Sequence, residues 1–190
     1  MLMDWLNWRA FYIAGICMFW LGYIFFRLKT NRELLKWWGF KKENFRQSFF
    51  VLLSFVLICI ILIVLYGNFS NRLYFTWHII PVFFLYPLWG IIQQFLLLGI
   101  ISNNLVSVLD VKINRYVIIL LISALFSLIH YPSYLLMIFT FIMEVVFITV
   151  YLRWRNLWAI GIAHGWIATF LMFYILARDL WSELLGGFQI

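Results

Sequence analysis

Two adjacent amides, Gln93 and Gln94, interrupt a long apolar run in the stretch WGIIQQFLLLG, residues 89–99. Their neighbours in this run are isoleucine, leucine and phenylalanine. Burying an amide in hydrocarbon without a hydrogen-bond partner costs about 2–7 kcal/mol. We therefore expect the pair to face other protein groups and not lipid, and the other polar residues of the apolar segments are the candidates for those groups.

The composition around this stretch is that of an integral membrane protein. The chain has 190 residues, of which 66% are hydrophobic and only 11% are charged, and its mean hydropathy is +1.00. Soluble domains usually carry about 25% charged residues. Several apolar runs reach the roughly 18 residues that a helix needs to cross a bilayer. We expect a single transmembrane domain over residues 1–190, built as an all-α helix bundle.

Six apolar segments predict six membrane spans. They cover residues 5–26, 49–66, 74–108, 116–130, 133–151 and 157–177. The third segment is longer than a bilayer is thick and contains Pro81 and Pro87, so a kink, a strong tilt or a short outer helix would be needed to accommodate it. Spans three to six are expected to enclose a polar cavity.

The basic residues predict the orientation of these spans. Residues 27–46 hold seven of the 14 lysines and arginines, and the net charge of the chain is +7. Because lysine and arginine concentrate in cytoplasmic loops, we expect this connector to be cytoplasmic, in an inner or plasma membrane of prokaryotic type. The expected partners of the basic surface are membrane lipids, and the charge does not indicate nucleic-acid binding.

Three ionisable residues stand out within the predicted spans. Glu144 is the only one of the seven acidic residues that falls inside a span, His130 closes span four, and His164 lies in span six. A charged group at such depth costs about 2.5–3.5 kcal/mol on insertion scales and marks a candidate functional site. The alternative for Glu144 is a protonated side chain that makes one interhelical hydrogen bond. His78, near the start of span three, is expected to be interfacial, without a functional role.

These residues fall into three ordered motifs. The motifs are Gln93-Gln94-x-x-x-Leu98-Gly99, Phe126-x-x-x-His130 and His164-x-x-x-Ala168. They resemble the EExxxRG, FxxxH and HxxxN/D motifs of the CAAX-protease and bacteriocin-processing (CPBP, or Abi) membrane family. The resemblance covers residues 84–175 and implies an intramembrane endopeptidase core that cleaves a membrane-associated or lipidated protein, or a leader peptide. In that family the first glutamate activates water, while the histidines and the asparagine polarise the carbonyl group.

The chain departs from the family pattern at the positions that carry the chemistry. Glutamines replace both glutamates, Leu98 replaces the arginine, and Ala168 replaces the asparagine. An amide does not accept a proton at neutral pH, so Gln93 cannot be the general base. It can still orient a water molecule or donate a hydrogen bond to an oxyanion.

Three accounts of the function follow. In the first, the protein is a peptidase with a rearranged site: His130 or Glu144 is the base, Gln93 and Gln94 orient water or substrate, and His164 assists. In the second, it is an inactive pseudoprotease that binds a membrane peptide or a partner protein. In the third, a zinc ion is bound by both histidines and the glutamate, although no HExxH motif is present; the other two accounts need no cofactor. We prefer the first, because two histidines have little reason to persist together in an inactive site.

The expected depths of these residues count against simple versions of the first and third accounts. At 1.5 Å per residue, Glu144 and His164 would lie about 10 Å from the basic side of the membrane. Gln93 and His130 would lie about 20 Å from it. Phe126 and Ala168 complete the motifs as expected binding positions.

Overall fold

The computed structural model describes residues 9–108 and 114–186, without the side chains of residues 9–14, 16, 17, 108 and 184–186. Residues 5–8 of the first predicted span and residues 110–113 of the loop before the fourth lie outside the described residues. The described chain is helical and contains no β-strand. This confirms the all-α prediction.

The helices follow the apolar segments of the sequence. In chain order they are α1 (Arg9–Thr30), α2 (Leu34–Trp38), α3 (Phe45–Phe69), α4 (Ile79–Gln94), α5 (Asn103–Val108), α6 (Arg115–Leu128), α7 (Tyr134–Trp154), α8 (Leu157–Tyr174) and α9 (Leu180–Gly186). A π-helical segment, Phe95–Ser102, joins α4 to α5. Helices suit a bilayer because they satisfy every backbone polar group internally.

Four helical stretches in the described residues are long and apolar enough to cross a membrane. They are Phe45–Phe69, Ile79–Ser107, Tyr134–Trp154 and Leu157–Tyr174. Many large apolar side chains on them are exposed, as Leu62 and Phe84 are, which suits contact with lipid. The chain is thus a membrane protein. Helix α6, the fourth predicted span, has 14 residues, fewer than the roughly 20 that cross a bilayer, so the count of six spans stays a prediction.

The long third segment begins with non-helical chain. Residues 72–76 are not helical and α4 starts at Ile79, so the short outer helix considered from the sequence is not formed. Pro81 lies in the first turn of α4, where its missing N–H removes no helical hydrogen bond. After Gln94 the helix widens into the π-helical segment, a feature that is frequent at functional sites.

The contacts divide the chain into two units, Met1–Trp37 and Trp38–Ile190. Helix α1 belongs to the first unit, and all the candidate site residues belong to the second. In the second unit α8 packs against α4 and α3, and α6 packs against α7. The single transmembrane domain expected over residues 1–190 stays a prediction.

Helices α4 and α8 approach closely because glycines line their contact. A Cβ atom at Gly161 would lie 2.7 Å from the Cα atom of Ile91, and one at Gly165 would collide with the backbone of Pro87. Small residues allow such approach between helices in membranes. The contact brings the end of α4, which carries Gln94, alongside His164 in α8.

Asn156 fixes the end of the bundle where α7 passes into α8. Its side-chain oxygen accepts a hydrogen bond from the backbone N–H of Ala159 at 3.1 Å, which caps the start of α8. Its amide nitrogen donates to the backbone oxygens of Lys41 and Glu43, at 2.8 and 3.1 Å. The second half of the basic connector therefore lies against the α7–α8 turn.

Candidate functional site

A hydrogen-bonded group of three buried side chains lies where α4, α7 and α8 meet. The amide nitrogen of Gln94 is 2.9 Å from Oε2 of Glu144 and 3.1 Å from Nδ1 of His164. Gln94 and Glu144 are fully buried, and His164 is 4% exposed. The sequence-based expectation that a polar partner shields the amide from lipid is met for Gln94.

The depth estimate from the sequence is wrong for this group. It separated Glu144 and His164 from the glutamine pair by about 10 Å, whereas both lie within hydrogen-bond distance of Gln94. Counting residues from the loops assumes regular α-helices that run perpendicular to the membrane and begin at the same depth. The π-helical segment Phe95–Ser102 lies between Gln94 and the basic side, so the count at 1.5 Å per residue does not hold there.

A cavity of about 150 Å³ lies beside this group, between α4, the end of α6, α7 and α8. Four residues of the three sequence motifs line it, namely Gln93, His130, His164 and Ala168. The other lining residues are mainly apolar: Tyr86, Trp89, Leu136, Phe139, Thr140, Met143, Ile167, Leu171 and Met172. The cavity is therefore apolar in most of its wall, with a few convergent polar groups, as small-molecule and peptide sites often are.

Sequence reasoning missed most of the apolar wall, although helical periodicity could have found it. Residues four and seven positions apart lie on one face of a helix. Trp89 and Tyr86 precede Gln93 by four and seven positions, and Leu171 follows His164 by seven. The motif residues thus mark the face of each helix that lines the cavity.

His130 is held by the residue that begins its motif. Its Nδ1 atom lies 2.8 Å from the backbone oxygen of Phe126, so Nδ1 carries the proton and donates it to that oxygen. The Phe126 ring, 2% exposed, packs edge-on against the rings of His130 and His164, with centroids 5.0 and 5.7 Å away. Phe126 therefore separates and orients the two imidazoles, and it leaves His130 Nε2 as a proton acceptor.

Nδ1 of His164 faces the side-chain amide of Gln94, whereas Nδ1 of His130 faces a backbone oxygen. With the amide oriented as it is here, its two hydrogens point to Glu144 Oε2 and to His164 Nδ1. His164 then accepts at Nδ1 and carries its proton on Nε2. With this amide orientation, His130 would accept a hydrogen bond through Nε2 and His164 would donate one.

Glu144 does not line the cavity. It lies behind Gln94 and His164, and its second oxygen, Oε1, has no hydrogen-bond partner among the described residues. Gln93, in contrast, lines the cavity. Leu98, at the position of the family arginine, is fully buried and carries no polar group.

A zinc site is not formed by the residues considered for it. In residues 9–108 and 114–186 no group of three or more histidine, cysteine, aspartate or glutamate side chains is placed to hold a metal ion. Nδ1 of His164 is directed at Gln94, and Nδ1 of His130 is directed at a backbone oxygen. The His₂Glu arrangement considered from the sequence is therefore not supported.

Two further polar groups were not anticipated from the sequence. Tyr151, fully buried in α7, accepts a hydrogen bond from Asn103 at 2.6 Å and donates one to the backbone oxygen of Trp38 at 2.7 Å. Beyond the end of α8, Asp179 pairs with His78 through its Oδ2 and Nδ1 atoms. His78 therefore has a structural partner, which no local sequence signal indicated.

Asp179 also caps the last described helix. Its Oδ1 accepts hydrogen bonds from the backbone N–H groups of Trp181 and Ser182, at 3.1 and 3.2 Å, where α9 begins. Partial burial raises the pKa of Asp179, but hydrogen bonds from His78 and Ser182 lower it by more, so the net pKa lies below the ordinary value. The pair fastens α9 to the start of α4.

Comparisons of the chain with protein-family models, with curated proteins and with solved structures give no match. The functional argument therefore depends on the residues themselves and their geometry.

Proposed function

We propose that the protein is an intramembrane endopeptidase, of the kind that the CAAX-protease and bacteriocin-processing family represents, in which histidine replaces glutamate as the general base. The observation that carries the proposal is the cavity of about 150 Å³, lined by Gln93, His130, His164 and Ala168. In the tautomers set out above, the Nε2 atom of His130 accepts a hydrogen bond and that of His164 donates one. Such a pair can supply general acid–base catalysis together with oxyanion stabilisation.

Peptide-bond hydrolysis can be written with these residues alone. His130 Nε2 takes a proton from a water molecule that the Gln93 amide orients, and the water oxygen bonds to the scissile carbonyl carbon. The Nε2–H of His164 donates a hydrogen bond to the oxygen of the tetrahedral intermediate. The carbon–nitrogen bond then breaks, and His130 returns its proton to the leaving amine. Substrate enters as a membrane-associated peptide or lipidated protein segment.

The test uses the purified full chain in lipid vesicles with a quenched fluorescent CAAX-type peptide that carries a lipidated cysteine. We expect cleavage at one bond, located by mass spectrometry. His130→Ala should lower kcat/KM by about 10²–10⁴-fold, the usual contribution of a general base. His164→Ala should lower it by about 10²–10³-fold, the usual cost of losing an oxyanion donor.

His78→Ala is the matched control. This histidine pairs with Asp179 and does not line the cavity, so its loss should leave kcat/KM unchanged. Cleavage that persists at the wild-type rate in both His130→Ala and His164→Ala would contradict the proposed mechanism.

A specific observation favours the pseudoprotease as the second candidate. Among the described residues no carboxylate lines the cavity, and Ala168 offers no donor at the position of the family asparagine. The double variant Gln93→Glu, Ala168→Asn introduces the carboxylate and the amide donor of the family motif at these two positions. If the wild type binds the lipidated peptide without cleaving it and the double variant cleaves it, the natural protein is a binding protein built on a protease framework.

The same proposal places residues 27–46 in the cytoplasm, in an inner or plasma membrane. Asn156 supports this, because it holds Lys41 next to the turn that contains Arg153 and Arg155, so basic residues from distant parts of the sequence share one end of the bundle. In a variant whose two native cysteines are replaced by serine, Asn68→Cys should react with an impermeant maleimide in intact cells. Lys42→Cys should react only after permeabilisation, and the reverse labelling would invert the proposed topology.

A further inference from the structure

Glu144 is a buried carboxyl group for which the proposed reaction has no direct use. It is fully buried in the middle of α7 and does not line the cavity. A group of this kind is costly in hydrocarbon and is rarely retained without a function. Its one hydrogen bond in the described part of the chain goes to Gln94.

The orientation of the Gln94 amide determines which nitrogen of His164 carries the proton. A glutamine amide can present either its NH₂ group or its oxygen to a neighbour. A carboxyl group carries at most one proton, and the oxygen without it only accepts hydrogen bonds. With Oε2 as that oxygen, Glu144 requires the NH₂ group of Gln94 on its side. The second hydrogen of the same NH₂ group then reaches His164 Nδ1, 3.1 Å away. Rotating the amide would place its oxygen against both acceptors.

We propose that Glu144 is a positioning residue: through Gln94 it keeps the proton of His164 on Nε2, where the histidine can donate into the cavity. The proposal rests on the proposed function for its catalytic meaning, but the tautomer itself can be observed without any reaction. The backbone oxygen of Phe126 holds the proton of His130 on Nδ1 in the same way, by accepting a hydrogen bond from it. The two histidines of the cavity are thus fixed in opposite tautomers by different neighbours.

The experiment is ¹⁵N NMR of the full chain labelled with ¹⁵N-histidine, in lipid nanodiscs. The chain has three histidines, so single His→Ala variants assign every signal. In the wild type we expect His164 to show an unprotonated Nδ1 and a protonated Nε2, and His130 to show the reverse. Glu144→Gln should keep this pattern, because a glutamine oxygen can accept the same hydrogen bond. Glu144→Leu should shift both His164 signals towards values averaged over the two tautomers.

The unchanged His130 signals serve as the internal control for folding. If Glu144→Leu does not fold, Gln94→Leu removes the same connection and should produce the same shift of the His164 signals. A wild-type His164 with its proton on Nδ1, or a His164 tautomer unaffected in a folded Glu144→Leu or Gln94→Leu protein, would overturn the proposal.

The peptidase assay adds a second readout. Glu144→Leu should lower kcat by about tenfold with KM unchanged, a part of the loss expected for a missing oxyanion donor, and Glu144→Gln should retain the wild-type kcat. A Glu144→Leu protein that folds and keeps the wild-type kcat would contradict the positioning role. If the wild type cleaves no peptide, the proposed function fails while the tautomer measurement still decides the role of Glu144.

Discussion

Substituting Gly161 by alanine tests the helix contact on which the candidate site depends. Gly161 lies in α8, one turn before His164, and faces the backbone of α4. A Cβ atom there would lie 2.7 Å from the Cα atom and 2.8 Å from the nitrogen of Ile91. Carbon atoms pack at about 3.5–4.0 Å. Backbone atoms cannot rotate away, so the two helices must separate by roughly 1 Å, as judged from that packing distance.

Overpacking of this kind costs about 1–3 kcal/mol. Since 1.4 kcal/mol is a tenfold change in an equilibrium constant, the unfolding constant should rise by about 5- to 150-fold. Alanine also favours helix over glycine by up to about 1 kcal/mol, which opposes the steric cost. Gly22→Ala measures that opposing effect, because a Cβ atom at Gly22 meets nothing within 4 Å.

The assay is reversible unfolding in mixed detergent–SDS micelles, followed by circular dichroism. The difference in unfolding free energy between Gly161→Ala and Gly22→Ala gives the steric cost. The separation should also lengthen the contact between Gln94 and His164, which the ¹⁵N signals of His164 report. A Gly161→Ala protein as stable as Gly22→Ala would refute the close packing of α4 against α8.

Two further predictions concern the polar groups away from the cavity. The pKa of Asp179 is lowered in the folded protein, so its stabilisation of α9 is present above the ordinary aspartate pKa, about 3.9, and is lost as the pH falls through the folded value. The protection factors of the α9 amides against hydrogen exchange should therefore fall at acid pH, and Asp179→Ala should show low protection throughout; a wild type whose protection is insensitive to acid would contradict the pairing with His78. Tyr151→Phe removes two buried hydrogen bonds and should lower the unfolding free energy by about 1–3 kcal/mol, whereas Tyr116→Phe, at an exposed ring, should not. Equal stability of the two variants would exclude a structural role for the Tyr151 hydroxyl.

Part of the candidate site could be predicted from the sequence because polar residues are conspicuous in apolar segments. Motif spacing singles out Gln93, His130, His164 and Ala168, and the structure places all four around one cavity. Their catalytic and binding roles stay predictions. The partner of His78 could not be predicted, because Asp179 is about a hundred residues away in the sequence and only the folded chain brings them together.

The sequence by itself determined the helical class and the membrane environment. Long apolar runs can satisfy their backbone in hydrocarbon only as helices, and this holds whatever the helices pack against. Only the tertiary structure decided that Gln94, Glu144 and His164 share hydrogen bonds while Glu144 stays off the cavity wall. Such proximity depends on the helical geometry between each residue and its loop and on how closely glycines let two helices approach. A count of residues from the loops gives no information about either of them.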